Sequence, residues 1–593
     1  MDASSPSVSD EKDPCREHLL ERRQQLTDSL TASPYDLILY LERAVVYSDL
    51  AYPDLAASDA YRALLLTDEV SDESFEFHEQ ALESLKGYST TPCPVVLDHG
   101  SLTEGISSEG TNGEDGMEGL KGAGPFQLLA HLASIRAYQI LSLSLLLCGS
   151  LKSALKFCER GLTAAPNNRE LIEIKGYIEQ IGRRRLRKDS DAPIDINSLP
   201  DRGVVRREVY PWNTYEPDRF SEESLSYLNK QLSTMAPKCE VRVSKLPILL
   251  ESESNTDDYE VIPTCNQLGL FAKEDIAPGE TVLEEYSLLT ANNRHKESTC
   301  DACGTELPPL SQSSKAVNCP ECYDTIFCDD FCFTKAQEQY HPAVCDTDVD
   351  SIAKDPDNKD IDQSLYLLLL ARLLAMSAHQ EMHPLEVPSI KYIWGDFVSP
   401  ELNEIDCSIN AEPPPEWTLP FSFEYNIEFP MHILEKMDID MYATLDKHDL
   451  WVFNTCYAKF RGTASARKNY QDGRRDGRPD VAAVHPFWCL ANHDCDPNVS
   501  WEWGGKMKLW AREKRVVGGR EGGIRKDEEI LNHYCDVELP VRERREWARG
   551  SLGGWFHRGG GECGRIYDQE FLPGISPSPR NIPDGRKRRR SNC

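Results

Sequence analysis

The sequence is short of positive charge. Its 593 residues include 65 lysines and arginines against 98 aspartates and glutamates, a formal net charge of −33 at pH 7. This excess disfavours bare DNA or RNA as a direct ligand, because an acidic surface repels phosphate backbones. We therefore expect a cationic partner or substrate and no direct contact with nucleic acid.

A basic-then-apolar leader and long apolar runs are also missing. The first residues read "MDASSPSVSDEKDPCREHLL", which lacks the charge order of a signal peptide. The longest apolar run, at 140–148, is too short for a bilayer core of about 30 Å. We therefore expect an intracellular protein without a membrane partner, located in the nucleus and cytoplasm.

Cysteine is abundant for an intracellular chain, with 20 residues. Reducing compartments keep thiols free, so clustered cysteines point to metal binding or catalysis rather than disulfides. Forty per cent apolar residues are enough to build cores, and the length exceeds what one core supports. The chain is therefore expected to have two to four domains.

Two stretches space small and aromatic residues as paired helices do. They cover 35–70 and 141–168, and the residues concerned are Ala44, Tyr47, Ala56, Ala60, Ala63, Gly149, Ala154, Gly161 and Pro166. Both stretches resemble tetratricopeptide repeats, with an ordinary helical hairpin bundle as the alternative. We predict a helical region at 34–185 after a tail at 1–33, with a disordered, acidic, Gly-rich insert at about 88–125.

Two basic runs stand out from the acidic background. They are "RRRLRK" at 183–188 and "RKRRR" at 586–590. Each is either a nuclear import signal or a solvated face or tail. We expect a linker at 186–238 after the first run and a disordered tail at 571–593 around the second.

A cluster of seven cysteines and one histidine lies in the middle of the chain. Two C-x2-C pairs are followed by single ligands at short spacings, and the eight are Cys300, Cys303, Cys319, Cys322, Cys328, Cys332, His341 and Cys345. Eight ligands are enough for two closed tetrahedral zinc sites, which are structural because no position remains for water. The alternative, separate buried cysteines, requires these spacings to be coincidental.

The order of these ligands resembles the MYND zinc finger. That resemblance implies an interleaved arrangement with Cys300, Cys303, Cys328 and Cys332 on one zinc and Cys319, Cys322, His341 and Cys345 on the other. Such a finger is an interaction or scaffolding module. A DNA-binding finger would need a basic face, whereas this segment is rich in aspartate and glutamate.

Three segments around the cluster contain further motifs. Before it, "NQLGLFAKEDIAPGETVLEEYSLL" has alternating apolar residues about a Pro278-Gly279 turn, which predicts a β-hairpin. After it come "NHDCDPNVSW" at 492–501, a strand-like stretch "KMKLWAREKRVV", and "DEEILNHYCDVELPVRERREWA" at 527–548. In this order the segments resemble the SET domain of protein lysine methyltransferases.

A SET domain interrupted by a MYND finger resembles the SET and MYND family. The fold class expected is α+β multidomain: an all-α repeat region, then a mostly-β SET fold interrupted by a two-zinc finger and a helical insert. The expected parts are SET residues 239–299, finger 300–345, insert 346–480, catalytic core 481–537 and post-SET region 538–570. Within the insert, 364–380 reads as a helix because it lacks Gly and Pro.

The resemblance implies methyl transfer from S-adenosylmethionine to a lysine of a protein substrate, a histone tail being one candidate. Tyr534 matches the catalytic tyrosine. The positions that match cofactor-binding residues are Gly269, Asn492, His493 and Phe556, together with Tyr534 itself. Without the resemblance, His493 with its neighbouring cysteine reads equally as a zinc pair or a nucleophile with its base. Tyr534 alone would read as a half-buried sheet residue.

The sequence departs from the family pattern at several positions. Gln267 replaces the first glycine of a Gly-x-Gly pair, Asp494 replaces a serine, and Asp527 replaces a glycine. The post-SET segment "WFHRGGGECGRI" keeps few of the usual cysteines, so a third zinc site would rest on Cys495 and Cys563, with His557. These losses support the rival prediction, a non-catalytic adaptor that binds partners through its finger and repeats.

Overall fold

The structure, a computed structural model, describes residues 14–88, 94–97, 124–187, 193–247, 264–287, 289–294, 299–307, 315–357, 359–395, 397, 419–467, 479–494, 496–516, 519–534 and 539–540. Most of the predicted acidic insert, the post-SET region and the second basic run lie outside these residues. So do Cys495, Phe556, His557 and Cys563.

Seven α-helices lie in the described part of the N-terminal region. They are α1 Pro14–Ala32, α2 Leu37–Asp49, α3 Pro53–Ser71, α4 His78–Lys86, α5 Pro125–Cys148, α6 Leu151–Ala164 and α7 Arg169–Leu186. Small residues allow close helix contacts: a Cβ on Gly161 would lie 2.8 Å from Tyr138 Cβ. The prediction of an N-terminal helical region is confirmed, while its assignment as tetratricopeptide repeats stays a prediction.

The predicted tail at 1–33 is wrong for its second half, since α1 occupies it. Leu26 and Leu30 of α1 are buried, and Arg23 Nε donates to the Tyr47 hydroxyl at 3.1 Å. The helix is mostly polar along its length, with few apolar residues. For that reason its packing face was not recognisable in the sequence.

The predicted linker at 186–238 is also wrong. It contains a short strand, β1 Gly203–Val205, and a helix, α8 Glu222–Met235. Tyr210 is buried between the helical region and the rest of the chain, with its ring 5.6 Å from that of Tyr52. Polar residues around these buried aromatics concealed the packing.

The remaining elements form short antiparallel sheets and a set of helices. The strands are β2 Cys239–Pro247, β3 Thr264–Ala272, β4 Thr281–Tyr286, β5 Thr290–Asn292, β6 Val317–Asn318, β7 Ile326–Phe327, β8 Leu419–Phe421, β9 Ala464–Arg467, β10 Val481–Val484, β11 Val499–Trp503 and β12 Lys506–Ala511. The helices are α9 Asp330–Gln339, α10 Ile361–His379, α11 Pro388–Lys391, α12 Phe429–Lys436, α13 Leu445–His448 and α14 Leu450–Thr463, with a π-helical turn at Glu424–Glu428. Mixed α and β structure follows the helical region, as predicted.

The predicted hairpin around Pro278-Gly279 is wrong. The strands on either side of that turn, β3 and β4, pair with different partners: β3 with β2, and β4 with β12. The sheets are β2-β3, β11-β12-β4, β5-β10-β9, β1-β8 and β6-β7. Local alternation identified both strands, but their partners come from distant parts of the chain.

Two of the described helices are long and apolar enough to cross a membrane by length and composition. They are α5 and α10, and about three quarters of each apolar window is buried inside the protein (72% and 78%). The helix α5 extends well beyond the apolar run at 140–148. Core packing of both helices accounts for their composition.

The described residues form two hydrophobic cores. A large core joins the N-terminal helices, the cysteine-rich segment and the helical insert, and a smaller one lies between α8 and the strands β2, β3, β4, β11 and β12. Ala491 and Ile530, which flank the motif residues, belong to the smaller core. The candidate active site is therefore built on a core of its own.

Candidate active site and metal centres

The chain segment 528–532 passes between strand β3 and the loop after β10. On one side Ile530 N donates to Leu270 O at 2.8 Å, and on the other Asn532 N donates to Asn492 O at 2.8 Å. The Leu531 amide donates to the side chain of Asn498 at 2.7 Å. These bonds bring the three separated sequence motifs into one unit.

Asn492 is buried between the other two motifs. Its Nδ2 donates to the backbone carbonyl of Leu268 at 3.1 Å and to Glu529 Oε1 at 2.7 Å. Both amide hydrogens are therefore used within the protein, which leaves Oδ1 as the acceptor for another group.

His493 and Tyr534 form the second part of the site. The backbone N–H of Tyr534 donates to His493 Nδ1 at 2.9 Å, and the rings lie 5.3 Å apart. The Tyr534 hydroxyl donates to Ala491 O at 3.2 Å. The structure thus places the predicted catalytic residue directly against the predicted cofactor-binding pair.

Gly269 lies where this site is tightest. A Cβ there would come within 2.7 Å of Glu529 Oε1 and 3.2 Å of Asn492 Nδ2. The absence of a side chain allows Asn492 and Glu529 to approach the β3 backbone. The neighbouring Gln267 lies in regular strand and pairs with Ser244, so its backbone does not need glycine.

The two other departures from the family motifs have local explanations. Asp527 has a φ of 65°, a left-handed conformation that favours glycine and that aspartate tolerates. Its carboxylate also accepts a hydrogen bond from Arg242 Nη2 at 2.8 Å. Asp494 Oδ1 accepts the N–H of Asp496 at 2.8 Å, a turn contact that a serine hydroxyl also makes.

Sequence reasoning missed three residues of the site: Asn498, Glu529 and Ser244. Asn498 is fully buried, and its Nδ2 donates to Glu529 O at 2.7 Å. Asn498 lies in the motif at 492–501 and Glu529 in the motif at 527–548, where the sequence indicated only a turn and a strand. Nothing in the sequence singled out Ser244.

An aromatic group lies next to the motif residues. The rings of Trp488 and Trp501 meet edge to face at 5.5 Å, and His533 lies 6.0 Å from Trp501. Buried Glu285 accepts the backbone N–H groups of Phe487 (3.1 Å) and Trp488 (2.8 Å). Burial raises the pKa of Glu285 to about 7, against the opposing effect of those two hydrogen bonds.

The cysteine cluster forms two quartets, each with ligand atoms within 4.8 Å of one another. The first quartet comprises Cys300, Cys303, Cys328 and Cys332. Its Cys303 and Cys328 sulfurs are 3.9 Å apart, and those of Cys328 and Cys332 are 3.4 Å apart. A tetrahedral zinc with Zn–S bonds of about 2.3 Å requires S···S separations of about 3.8 Å, so this donor set suits zinc.

The second quartet comprises Cys319, Cys322, His341 and Cys345. The sulfurs of Cys319 and Cys345 are 3.8 Å apart, as are Cys322 Sγ and His341 Nε2. The interleaved pairing predicted from the sequence is the one that the structure brings together. Each quartet could hold a metal ion.

Neighbouring polar groups support the first quartet. The hydroxyls of Tyr286 and Thr305 lie 3.1 Å from Cys332 Sγ and 3.3 Å from Cys303 Sγ, respectively. Asp329 caps α9 by accepting the Cys332 N–H at 2.9 Å, which holds that ligand at the first helical turn. Hydrogen bonds of this kind orient ligands and stabilise thiolates.

A partly buried ion pair joins the cysteine-rich segment to the helical insert. Arg372 of α10 contacts Asp301 at 3.1 Å, and the Tyr340 hydroxyl donates to the same carboxylate at 2.5 Å. Burial opposes the charged form, but Arg372 and Tyr340 outweigh it and lower the pKa of Asp301. Asp301 lies between two cysteines of a single C-x2-C pair, so the pair connects the first quartet to α10.

Comparison with known proteins identifies one part of the chain. No curated protein matches the sequence. The family match covers somewhat less than half of the chain and includes Gly269, both quartets and Tyr534. Residues 267–535 match the SET domain, the domain of protein lysine methyltransferases.

Proposed function

We propose that the protein is an S-adenosylmethionine-dependent protein-lysine N-methyltransferase of the SET and MYND type. The observation that carries this proposal is the hydrogen-bonded unit of Asn492, His493 and Tyr534. Three motifs that together span more than 260 positions meet there, beside Gly269, whose lack of a side chain lets Asn492 and Glu529 approach the β3 backbone. The family match over 267–535 supports the same reaction class.

The residues present suit the proposed cofactor. Asn492 Oδ1 remains as an acceptor for an ammonium group, since its Nδ2 is already bonded within the protein. Asn532 is fully buried, and its Nδ2 has no acceptor among the described residues. A buried donor without a partner costs about 1–3 kcal/mol, which a bound ligand with an acceptor would offset.

Tyr534 would act on the lysine amine, which must be neutral to attack. S-adenosylmethionine, when bound, supplies a sulfonium methyl group open to in-line displacement. Free lysine has a pKa of about 10.4, and an apolar channel would favour its neutral form. The hydroxyl of Tyr534, which donates to Ala491 O, would orient the amine, so most of the rate would come from positioning.

The two quartets would hold zinc in structural sites. All eight ligands come from protein side chains, so neither ion would keep an open position for water or substrate. We propose that the finger and the N-terminal helices bind protein partners. The third zinc, on Cys495 and Cys563, stays a prediction because those residues lie outside the described ranges.

The substrate proposed is a lysine-containing protein, with a histone tail as one candidate. The net charge of −33 favours such basic partners and disfavours nucleic acid. The basic runs at 183–188 and 586–590 support a location in both nucleus and cytoplasm.

Calorimetric titration of the zinc-loaded protein with S-adenosylmethionine tests the proposal without knowledge of the substrate. We expect one molecule bound per chain and at least tenfold weaker binding by Asn492→Ala. Asn197→Ala, at an exposed asparagine outside the site, serves as the control. Failure of folded wild-type protein to bind would contradict the proposal and favour the adaptor.

A further inference from the structure

We infer that Glu529 and Ser244 are positioning residues of the cofactor site, which fix the orientation of the Asn492 side-chain amide. This inference rests on the proposed function. Neither residue was assigned a role by the motifs. Their contribution acts through Asn492 rather than through contact with the reacting atoms.

The Glu529 carboxylate is divided between two donors. Its Oε1 accepts from Asn492 Nδ2 at 2.7 Å, and its Oε2 accepts from Ser244 Oγ at 3.2 Å. Glu529 is 9% exposed and Ser244 is 6% exposed, so water has little access to these bonds. A charge-assisted hydrogen bond in such surroundings is stronger than one between neutral groups.

This geometry determines which end of the Asn492 amide remains available. An asparagine side chain has a donor end and an acceptor end of nearly the same shape. A carboxylate accepts but cannot donate, and the second partner, Leu268 O, is also an acceptor. Both contacts therefore select Nδ2, and Oδ1 is left for a positively charged or N–H group of the cofactor.

Ser244 supports this arrangement from outside the matched SET segment. It lies on β2 opposite Gln267 of β3, before residue 267 where the family match begins. Its hydroxyl holds the second carboxylate oxygen and so restrains rotation of the Glu529 side chain. The β2 strand thus completes the site as well as the sheet.

Glu529 also has a structural role that an experiment must separate. Its backbone carbonyl accepts from Asn498 Nδ2 at 2.7 Å, which holds the crossing segment 528–532. Side-chain substitutions leave that backbone bond in place. The relevant readout is therefore cofactor affinity measured on folded protein.

The test compares Glu529→Leu, Glu529→Gln and Ser244→Ala with wild type by calorimetric titration with S-adenosylmethionine. We expect a rise of about tenfold or more in Kd for Glu529→Leu and about threefold for Ser244→Ala, in line with the loss of one or two buried hydrogen bonds. Glu529→Gln should bind nearly as wild type, because its amide oxygen still accepts from Asn492. The control is Glu502→Leu, the same change as Glu529→Leu at an exposed glutamate of β11.

A double-mutant cycle separates positioning from general loss of structure. Once Asn492 is alanine, the Ser244→Ala change should no longer affect Kd, because the amide that it positions is gone. Methylation assays should show that Ser244→Ala raises the KM for S-adenosylmethionine by a larger factor than it lowers kcat. Additive effects in the cycle would overturn the inference, as would unchanged Kd in folded Glu529→Leu.

The outcomes distinguish this inference from the proposed function. No binding by wild type removes both. Binding by wild type that Ser244→Ala and Glu529→Leu leave intact removes only the positioning roles. If Glu529→Leu does not fold, the Ser244 cycle decides alone.

Discussion

At the scale of residues, the candidate site depends on which hydrogen-bonding groups remain available to a ligand once the bonds within the protein are made. Tyr534 uses its backbone N–H on His493 and its hydroxyl on Ala491 O. Asn492 uses both amide hydrogens within the protein. Side chains held by such bonds are pre-organised, which is what catalysis by positioning requires.

Replacing Tyr534 by phenylalanine should reduce methyl transfer by at least about a hundredfold while cofactor binding changes little, because only the hydroxyl that orients the amine is lost. The measurement is transfer of labelled methyl groups to a lysine-rich protein, together with calorimetric affinity. Tyr323→Phe, a change at an exposed tyrosine, is the control. Undiminished transfer by Tyr534→Phe would show that another group orients the amine.

Glu285 should make stability depend on pH. Burial raises its folded-state pKa to about 7 from an ordinary value of 4.5, so folding favours the protonated form. Its contribution to the free energy of unfolding is complete below pH 4.5 and is lost as pH rises through about 7. Denaturant unfolding across this range should show a steeper fall for wild type than for Glu285→Gln.

The control for this prediction is the neighbouring carboxyl group of Glu284. It lies on the exposed face of β4, where a hydrogen bond from Lys506 lowers its pKa. Its small contribution therefore has the opposite sign, and Glu284→Gln should keep the wild-type fall. Identical pH profiles for wild type and Glu285→Gln would contradict the assigned burial effect.

At the scale of elements, the cysteine-rich segment has little regular structure to hold it. Among its described residues it has two strands of two residues each, one α-helix of ten residues and one 3-10 helix of three. Such short elements cannot bury enough apolar surface alone, and metal binding would supply the missing free energy. The interleaved quartets then cross-link the start and the end of the segment.

Loss of one ligand should remove one ion. Cys319→Ser should lower the zinc content from two ions per chain towards one and destabilise the segment, because serine is a poor zinc ligand. Zinc is measured by atomic emission on the purified protein. Cys456→Ser, at a buried cysteine outside both quartets, should keep two ions. Equal zinc in all three proteins would contradict the quartets.

At the scale of the whole molecule, the N-terminal helices are packed into the rest of the chain rather than tethered to it. Arg43 Nε pairs with Asp59 at 2.7 Å, and Arg43 Nη2 lies 3.2 Å from Asp449 at the start of α14. Arg62 Nη2 donates to His448 O at 2.9 Å. These buried contacts join α2 and α3 to the helical insert.

Replacing Arg43 by methionine should destabilise the protein by about 3–5 kcal/mol, because Asp59 and Asp449 would stay buried without their partner. The matched control is Arg22→Met, which breaks an exposed pair with Glu42 and should cost at most about 1 kcal/mol. Both are measured by denaturant unfolding. Equal stability of the two variants would show that the helices and the insert are not energetically coupled.

Sequence alone determined the local chemistry of this protein. The C-x2-C spacings, the Asn-His pair and the tyrosine motif are short-range features, and the order of the motifs predicted the SET match at 267–535. Helices with strong apolar content, such as α5 and α10, were also predictable. Spacing and periodicity act over a few residues, so a linear reading detects them.

Only the tertiary structure determined which strands, helices and side chains contact one another. The pairing of β3 with β2 and of β4 with β12, the packing of α1 and of 193–238, and the hydrogen bond between Ser244 and Glu529 all join residues that are distant in the chain. Ser244 and Glu529 are 285 positions apart. The sequence does not show whether a polar residue on a strand faces water or a buried carboxylate. Its contribution to the free energy of folding depends on the group that the tertiary structure places beside it.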